Sequence, residues 1–316
     1  MSTARPLRRC SPPSGGEARR ATGGDMSTAC NTIGLVGLGL VGRALAHRLS
    51  IAGCATIGFD RRDEACAEFV QSGGRVAQSL AELGTRCERV VLAVFDTVGV
   101  LEVVDALLGS PTVRAVIDCS TGDPDALVAL AARLCHRGID FIEAPLSGSS
   151  EQIRSGQATM LLGAEPEALQ RHAALLDALS SQRIVAGGAG MGARAKLATN
   201  LVLGLNRAAL AEGMVFAERL GIAPQTFLSM VLATPARSDA AVNKGERMVR
   251  GEFAPQSRIE QHLKDVNLML QQAAATGQRL PLSAAHAALL SAAIAAGDGE
   301  LDNAAIVRQI RREVST

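Results

Sequence analysis

The 316-residue chain predicts the α/β class, with a doubly wound, mainly parallel sheet followed by an all-α C-terminal domain joined to it by a long helix. Three observations carry that expectation. From Asn31 to about Gly188, short apolar runs alternate with helical stretches. Several of the runs are continuously apolar rather than alternating, as in strands covered on both faces. After Gly188 the strand signal stops, and a proline-free helical run extends from about Met191 to Leu220, where Gly221 halts it.

Taken in order, strands are expected at Thr32–Val36, Thr56–Asp60, Arg89–Val94, Ala115–Asp118, Phe141–Ala144, Thr159–Leu162 and Ile184–Ala186. Helices fill the gaps at Leu40–Ile51, Arg62–Gln71, Val98–Leu108, Pro124–Arg137 and Pro166–Leu179. Gly53 and Gly138 hold C-cap places, and Ser79 with Glu82 reads as a capping box. Such alternation implies parallel strands joined by helical crossovers. The run from Met191 would be about 45 Å long at 1.5 Å per residue, so it reads as a spine shared by two lobes. Helices at Pro224–Leu232, Asp239–Arg250, Ile259–Thr276, Ser283–Ala295 and Asn303–Arg311 follow.

Composition excludes several classes of function. Apolar residues make up 47% of the chain, yet it has no Trp or Tyr and only seven Phe, so the core is aliphatic. A formal charge of +1 gives no electrostatic reason to expect nucleic acid or a membrane surface as partner, and base-stacking aromatics are missing. No apolar run reaches the 18 to 20 or so residues of a membrane span. The seven cysteines form no C-x-x-C pair and no metal-ligand spacing with histidine. Their odd number argues against a disulfide framework, and the expected location is a reducing cytoplasm. No metal is expected. Residues 1–25 are rich in Arg, Pro, Gly and Ser, without the apolar core of a secretory signal. Residues 1–30 are therefore expected to be a disordered extension.

The chemistry begins with Gly37-Leu38-Gly39-Leu40-Val41-Gly42, a G-x-G-x-x-G that follows a strand and opens a helix. In that setting the glycines permit the tight turn and the backbone approach that seat a pyrophosphate on the helix N-terminus. Asp60 ends the second strand, 21 residues after Gly39, where a carboxylate accepts from an adenosine ribose 2′-OH and repels a 2′-phosphate. NAD is therefore expected, while Arg61 and Arg62 keep NADP open as clamps for that phosphate. Only three lysines stand against 29 arginines. Lys196 and Asn200 are one helical turn apart on one face, Lys264 precedes Asp265, and Lys244 is read as facing solvent. The five histidines show no ligand spacing and are read as surface or helix-packing residues.

Further segments stand in register with these: Asp118-Cys119-Ser120-Thr121-Gly122-Asp123-Pro124, Glu143-Ala144-Pro145-Leu146-Ser147-Gly148-Ser149, Gly190-Met191-Gly192 ahead of Lys196 and Asn200, and Lys264-Asp265. In order and spacing they resemble the β-hydroxyacid dehydrogenases, which include 3-hydroxyisobutyrate dehydrogenase, over residues 31 to 312. The resemblance implies an NAD(P)-binding Rossmann domain at 31–190, an all-helical substrate and oligomerisation domain at 191–316, and a homodimer or homotetramer built around the long helix. It implies that Gly37, Leu38, Gly39, Val41 and Gly42 hold the cofactor with Asp60 and Arg61, with Phe95, Asp96 and Thr121 along it and Lys264 closing over it. Ser147, Gly148 and Ser149 would meet a substrate carboxylate, Asn200 would orient the substrate, and Lys196 would be the acid/base. The implied reaction interconverts a small 3-hydroxy acid and its semialdehyde or keto form.

That role suits the residue types. Hydride transfer at an alcohol carbon needs a group that takes the hydroxyl proton and can return it, and a buried lysine can do both. Ser149 replaces the second glycine common in this family, adding a hydroxymethyl group, and Asp96 stands where several members have proline. Two alternatives stand beside this reading. One is an imine reductase-like enzyme, a branch that usually lacks lysine at this position. The other is a non-catalytic dinucleotide-binding protein. A 6-phosphogluconate dehydrogenase is disfavoured because fewer than 100 residues follow the spine.

Overall fold

The computed structural model describes residues 32–313. The extension expected at residues 1–30 lies outside them. Six parallel strands form the sheet's first part: β1 (Ile33–Val36), β2 (Thr56–Phe59), β3 (Arg75–Val76), β4 (Arg89–Leu92), β5 (Ala115–Asp118) and β6 (Asp140–Glu143). Their spatial order is β3-β2-β1-β4-β5-β6, the doubly wound order whose direction reverses between β1 and β4. Beyond β6 lie β7 (Leu146–Ser147) and β8 (Thr159–Gly163), paired antiparallel, and β9 (Arg183–Gly187), parallel to β8.

Continuously apolar strands are explained by two cores. Leu35, Val91, Ile117 and Ile142 enter one cluster, while their neighbours Val36, Val90, Val116 and Phe141 enter another. Successive side chains point to opposite faces, so both faces are buried. The crossover helices cover them: α1 (Leu40–Ile51), α2 (Asp63–Gln71), α3 (Leu80–Arg86), α4 (Thr97–Leu107), α5 (Pro124–Cys135), α6 (Ser150–Arg154), α7 (Pro166–Arg171) and α8 (Ala173–Leu179).

Four short elements, β3, β7, α3 and α6, were not among the predicted strands and helices. The single helix expected over 166–179 is two, because the chain turns at His172, whose ring bonds Asp140 Oδ2 at 2.9 Å. Among the described residues Cys66, Cys87 and Cys119 carry free thiols, whereas Cys54 is disulfide-bonded, a bridge that runs against the expectation drawn from the odd cysteine count.

The spine is α9 (Met191–Arg219), 29 residues long. One end packs on β8, β9 and β6. The other is surrounded by α10 (Pro224–Ala233), α11 (Asp239–Arg250), α12 (Ile259–Ala275), α13 (Pro281–Ala295) and α14 (Ile306–Glu313). A third core forms here around Leu210, Met214, Met248, Val266, Leu290 and Val307. The last predicted helix opens as a 3-10 turn at Asn303–Ala305, because Asp302 caps it by accepting the Ala304 amide at 3.0 Å.

Candidate active site

A cleft of about 760 Å³ opens at the switch point, between the ends of β1 and β4, and runs on to the face of α9. Its first half is the glycine turn. A Cβ on Gly37 would stand 2.3 Å from Ala93 O, and one on Gly42 would stand 1.8 Å from Gly37 O, so packing within the protein demands both glycines. Gly39 differs: the nearest atom to its Cβ position is Arg62 Nη2 at 3.8 Å. Its bareness serves no protein neighbour and leaves room for a diphosphate at a helix start that no side chain caps.

Asp60, at the end of β2, accepts the Leu38 amide at 2.8 Å and is gripped by Arg62 through Nε and Nη2 at 3.2 and 3.1 Å. Burial acts against its charge, but the Arg62 and backbone hydrogen bonds hold the carboxyl below its usual range. The turn and the acid thus fit the adenosine half of a dinucleotide. Phe95 and Asp96 follow β4, and Asp96 caps α4 by accepting the Gly99 amide at 2.9 Å, which accounts for an acid at this position.

The second half of the cleft is the lysine site. Lys196 is 8% exposed, and its Nζ donates to Leu146 O at 2.7 Å. Burial pulls its pKa down, Asp265 opposes that, and the charges of Lys264 and Arg207 add to it. One turn on, Asn200 Nδ2 donates to Asp265 Oδ2 at 2.9 Å, leaving its carbonyl oxygen for a ligand. Lys264 Nζ lies 3.0 Å from Asp265 Oδ1, donates to Thr121 O at 2.6 Å and sits 5.7 Å from the Phe95 ring centre. Gln261 Nε2 donates to Phe95 O at 3.2 Å. Helix α12 is therefore strapped to the loops after β4 and β5, and the two halves of the cleft are held together.

Glu143, at the end of β6, is a positioning residue that the sequence reading left without a role. Helix α9 begins at Gly190 with no cap of its own. Glu143 supplies one from 47 residues away, Oε1 accepting the Gly190 amide and Oε2 the Ala193 amide at 2.7 Å. Burial nevertheless pushes its carboxyl up to about 7. An acid whose folded pKa exceeds its unfolded one binds more protons when folded, so stability declines as pH rises from about 4.5 to about 7. The expected result is that Glu143→Gln flattens this decline relative to wild type. Urea unfolding of both proteins at pH 5 and pH 7.5 checks it, and equal slopes for the two would refute it.

Of the residues singled out by sequence, Gly37, Gly39, Val41, Asp60, Arg61, Phe95, Asp96 and Thr121 line one end of the cleft, and Gly148, Ser149, Lys196 and Asn200 the other. Leu38, Gly42, Ser147 and Lys264 are not among the residues that line it. Ser149 does different work from that expected. It caps α6, its hydroxyl accepting the Gln152 amide and its own N–H committed to Gln152 Oε1 at 2.8 Å. That amide is not free for a carboxylate. Lys244, read as solvent-facing, is instead buried and holds both oxygens of Asp302 at 2.9 Å. His262, read as bland, is buried on the cleft wall.

Fold and cleft together define a dinucleotide-binding protein of the doubly wound class. Residues 32–188 match the NAD binding domain of 6-phosphogluconate dehydrogenase, and residues 190–310 match the NAD-binding domain of NADP-dependent 3-hydroxyisobutyrate dehydrogenase. L-threonate dehydrogenase of Cupriavidus necator is 30% identical over 281 residues, 87% of this chain and 95% of that protein. 2-Hydroxy-3-oxopropionate reductase of Escherichia coli is 29% identical, over 88% and 96% of the two chains. A crystal structure of 3-hydroxyisobutyrate dehydrogenase from Salmonella typhimurium superposes with a TM-score of 0.78 at 28% identity, covering 88% and 99%. The chain belongs to the β-hydroxyacid dehydrogenase family and is an NAD(P)-dependent oxidoreductase. No helix among the described residues is long and apolar enough to cross a membrane.

Proposed function

We propose that this enzyme interconverts a small 3-hydroxy acid and its semialdehyde or keto acid, with Lys196 as acid/base. The observation that carries the proposal is the placement of Lys196 in one cleft with Gly39 and Asp60, where burial lowers its pKa. A nicotinamide ring held in this cleft would supply the hydride acceptor, or the donor in reverse. In oxidation, neutral Lys196 takes the substrate hydroxyl proton as the carbinol hydrogen departs as hydride. In reduction, the ammonium form returns that proton. The bond to Leu146 O fixes the amine's direction, and the second Nδ2 hydrogen of Asn200, the one not given to Asp265, can donate to the oxygen of the same hydroxyl. Gly148 and the Ser149 hydroxyl are assigned to the substrate carboxylate, with Ser147 behind them.

Residues 31–190 are proposed as the cofactor domain and 191–316 as the substrate and oligomerisation domain. Exposed Val202 and Phe216 on the spine support a homodimer or homotetramer. The test is a panel of C3 to C6 hydroxy acids, L-threonate and 3-hydroxyisobutyrate among them, assayed with NAD and NADP. Turnover of none would refute the proposal.

NAD is the proposed cofactor. Asp60→Asn keeps an acceptor for the Leu38 amide while removing the charge that repels a 2′-phosphate and releasing Arg62. NADP affinity is expected to rise about tenfold, within the range of charge-assisted hydrogen bonds, with NAD affinity changing less. Calorimetry measures both, and a wild-type preference for NADP would overturn the assignment.

A further inference from the structure

Helix α9 shows one face to the cleft, carrying Lys196, Asn200, Leu203 and Arg207 in turn. The first two serve the proposed reaction, but Arg207 does not. It is 5% exposed, lines the cleft, and among the described residues forms no ion pair with a carboxylate. Its protein contact is His262 Nε2 at 3.4 Å. A guanidinium can only donate, so Nε2 accepts and the neutral imidazole carries its proton on Nδ1. Burial, together with the charge of Arg207, keeps His262 well below its ordinary pKa, so it is neutral and offers no compensating charge.

The carboxylate whose field reaches Arg207 is Asp302. That acid is already spent, holding Lys244 with both oxygens and accepting the amides of Gln256, Ser257 and Ala304. The cluster is also a built one. A Cβ at Gly204 would fall 2.5 Å from His262 Nε2, so only glycine on α9 admits the ring, and His286 packs against it at 5.1 Å between ring centres. A buried, unpaired cation is costly unless something neutralises it, and here the open side of the cation is the cleft.

We propose that Arg207 receives a second anionic group at the far end of the substrate. On the reading that this is a hydroxyacid dehydrogenase, its substrates are then hydroxy acids bearing a second acidic group, carboxylate or phosphate. Lys196 and Arg207 lie eleven residues apart, about 16 Å along the axis. Both side chains line the same cleft, and the charge of Arg207 acts on the Lys196 amine. The second acid therefore sits several bonds from the carbinol, rather than on the adjacent carbon.

The test compares matched 3-hydroxy acids of five and six carbons that end in methyl, carboxylate or phosphate, using the full-length enzyme. Wild type should favour one of the acidic ends over methyl by about thirtyfold in kcat/KM, mostly through KM, the scale of a charge-assisted pair. The better of the two identifies the group. Arg207→Gln should bring that ratio below about three, and Arg207→Lys should restore part of it. Equal use of the methyl compound by wild type, or an unchanged ratio in Arg207→Gln, overturns the proposal. Binding of unreactive adipate against hexanoate to wild type, by calorimetry, decides the matter if the variants do not fold. It also separates the two readings. Absence of turnover with every hydroxy acid sinks the dehydrogenase assignment, while preferential adipate binding would still uphold Arg207 as an anion site.

Discussion

Lys196→Ala is expected to keep its dinucleotide and lose turnover by a factor of 10² to 10⁴, the usual worth of a positioned acid/base. Lys196 lies outside the glycine turn and makes no contact with Gly37, Gly39 or Asp60, so the cofactor half of the cleft is untouched by its removal. Deleting the amine leaves Leu146 O without its donor, a local loss, and removes the amine assigned to take and return the substrate proton. Lys196→Arg should be nearly as inactive, because a guanidinium does not release its proton. Calorimetric affinity for NAD together with kcat, followed through the absorbance of reduced nicotinamide, makes the separation. A variant with near-normal kcat would remove Lys196 from the chemistry.

The second large effect concerns stability. Asp302 is fully buried and anchors the junction of α11, α14 and the segment leading to α12, holding Lys244 and three backbone amides at once. Asp302→Ala leaves a buried ammonium uncompensated and those amides unpaired, so a loss of about 3–5 kcal/mol is expected. Burial works against the carboxylate, yet Lys244 and the amide donors hold its pKa below the ordinary value. The stabilisation is therefore full above about pH 4 and fades as pH falls through the lower folded value. Pairing the change with Lys244→Met removes the orphaned charge and should recover much of the loss. Urea unfolding of the single and double variants measures this, and additive losses would contradict the ion-pair explanation.

Much of the fold was legible because its signals are local. Apolar runs covered on both faces gave the parallel strands. Helix α1 was bounded correctly by Gly39 and by Gly53, which lies just past its C-cap, and the Met191 run without proline marked the spine. The glycine turn was legible for the same reason, since glycines, helix start and Asp60 fall within 24 residues of sequence. What escaped depends on partners far along the chain. Lys244 looked like a solvent-facing lysine because its acid lies 58 residues away. Glu143 was legible only as part of a motif, since the helix it caps starts 47 residues later. Arg207 was one arginine among 29, and nothing near it in sequence marks it as unpaired. Ser149 is the instructive case. The Ser-x-x-Gln spacing of a capping box was present in the sequence, yet the residue was read for substrate chemistry alone, and its amide turns out to serve α6.

The most direct measurement is rescue of Lys196→Ala by added primary amines. With the best substrate of the hydroxy acid panel and saturating NAD, turnover should rise with amine concentration and track the basicity of the amine, because a small amine can enter the vacated space and take the hydroxyl proton. No acceleration by any amine, in a variant that is folded and still binds NAD, would contradict proton exchange at this position.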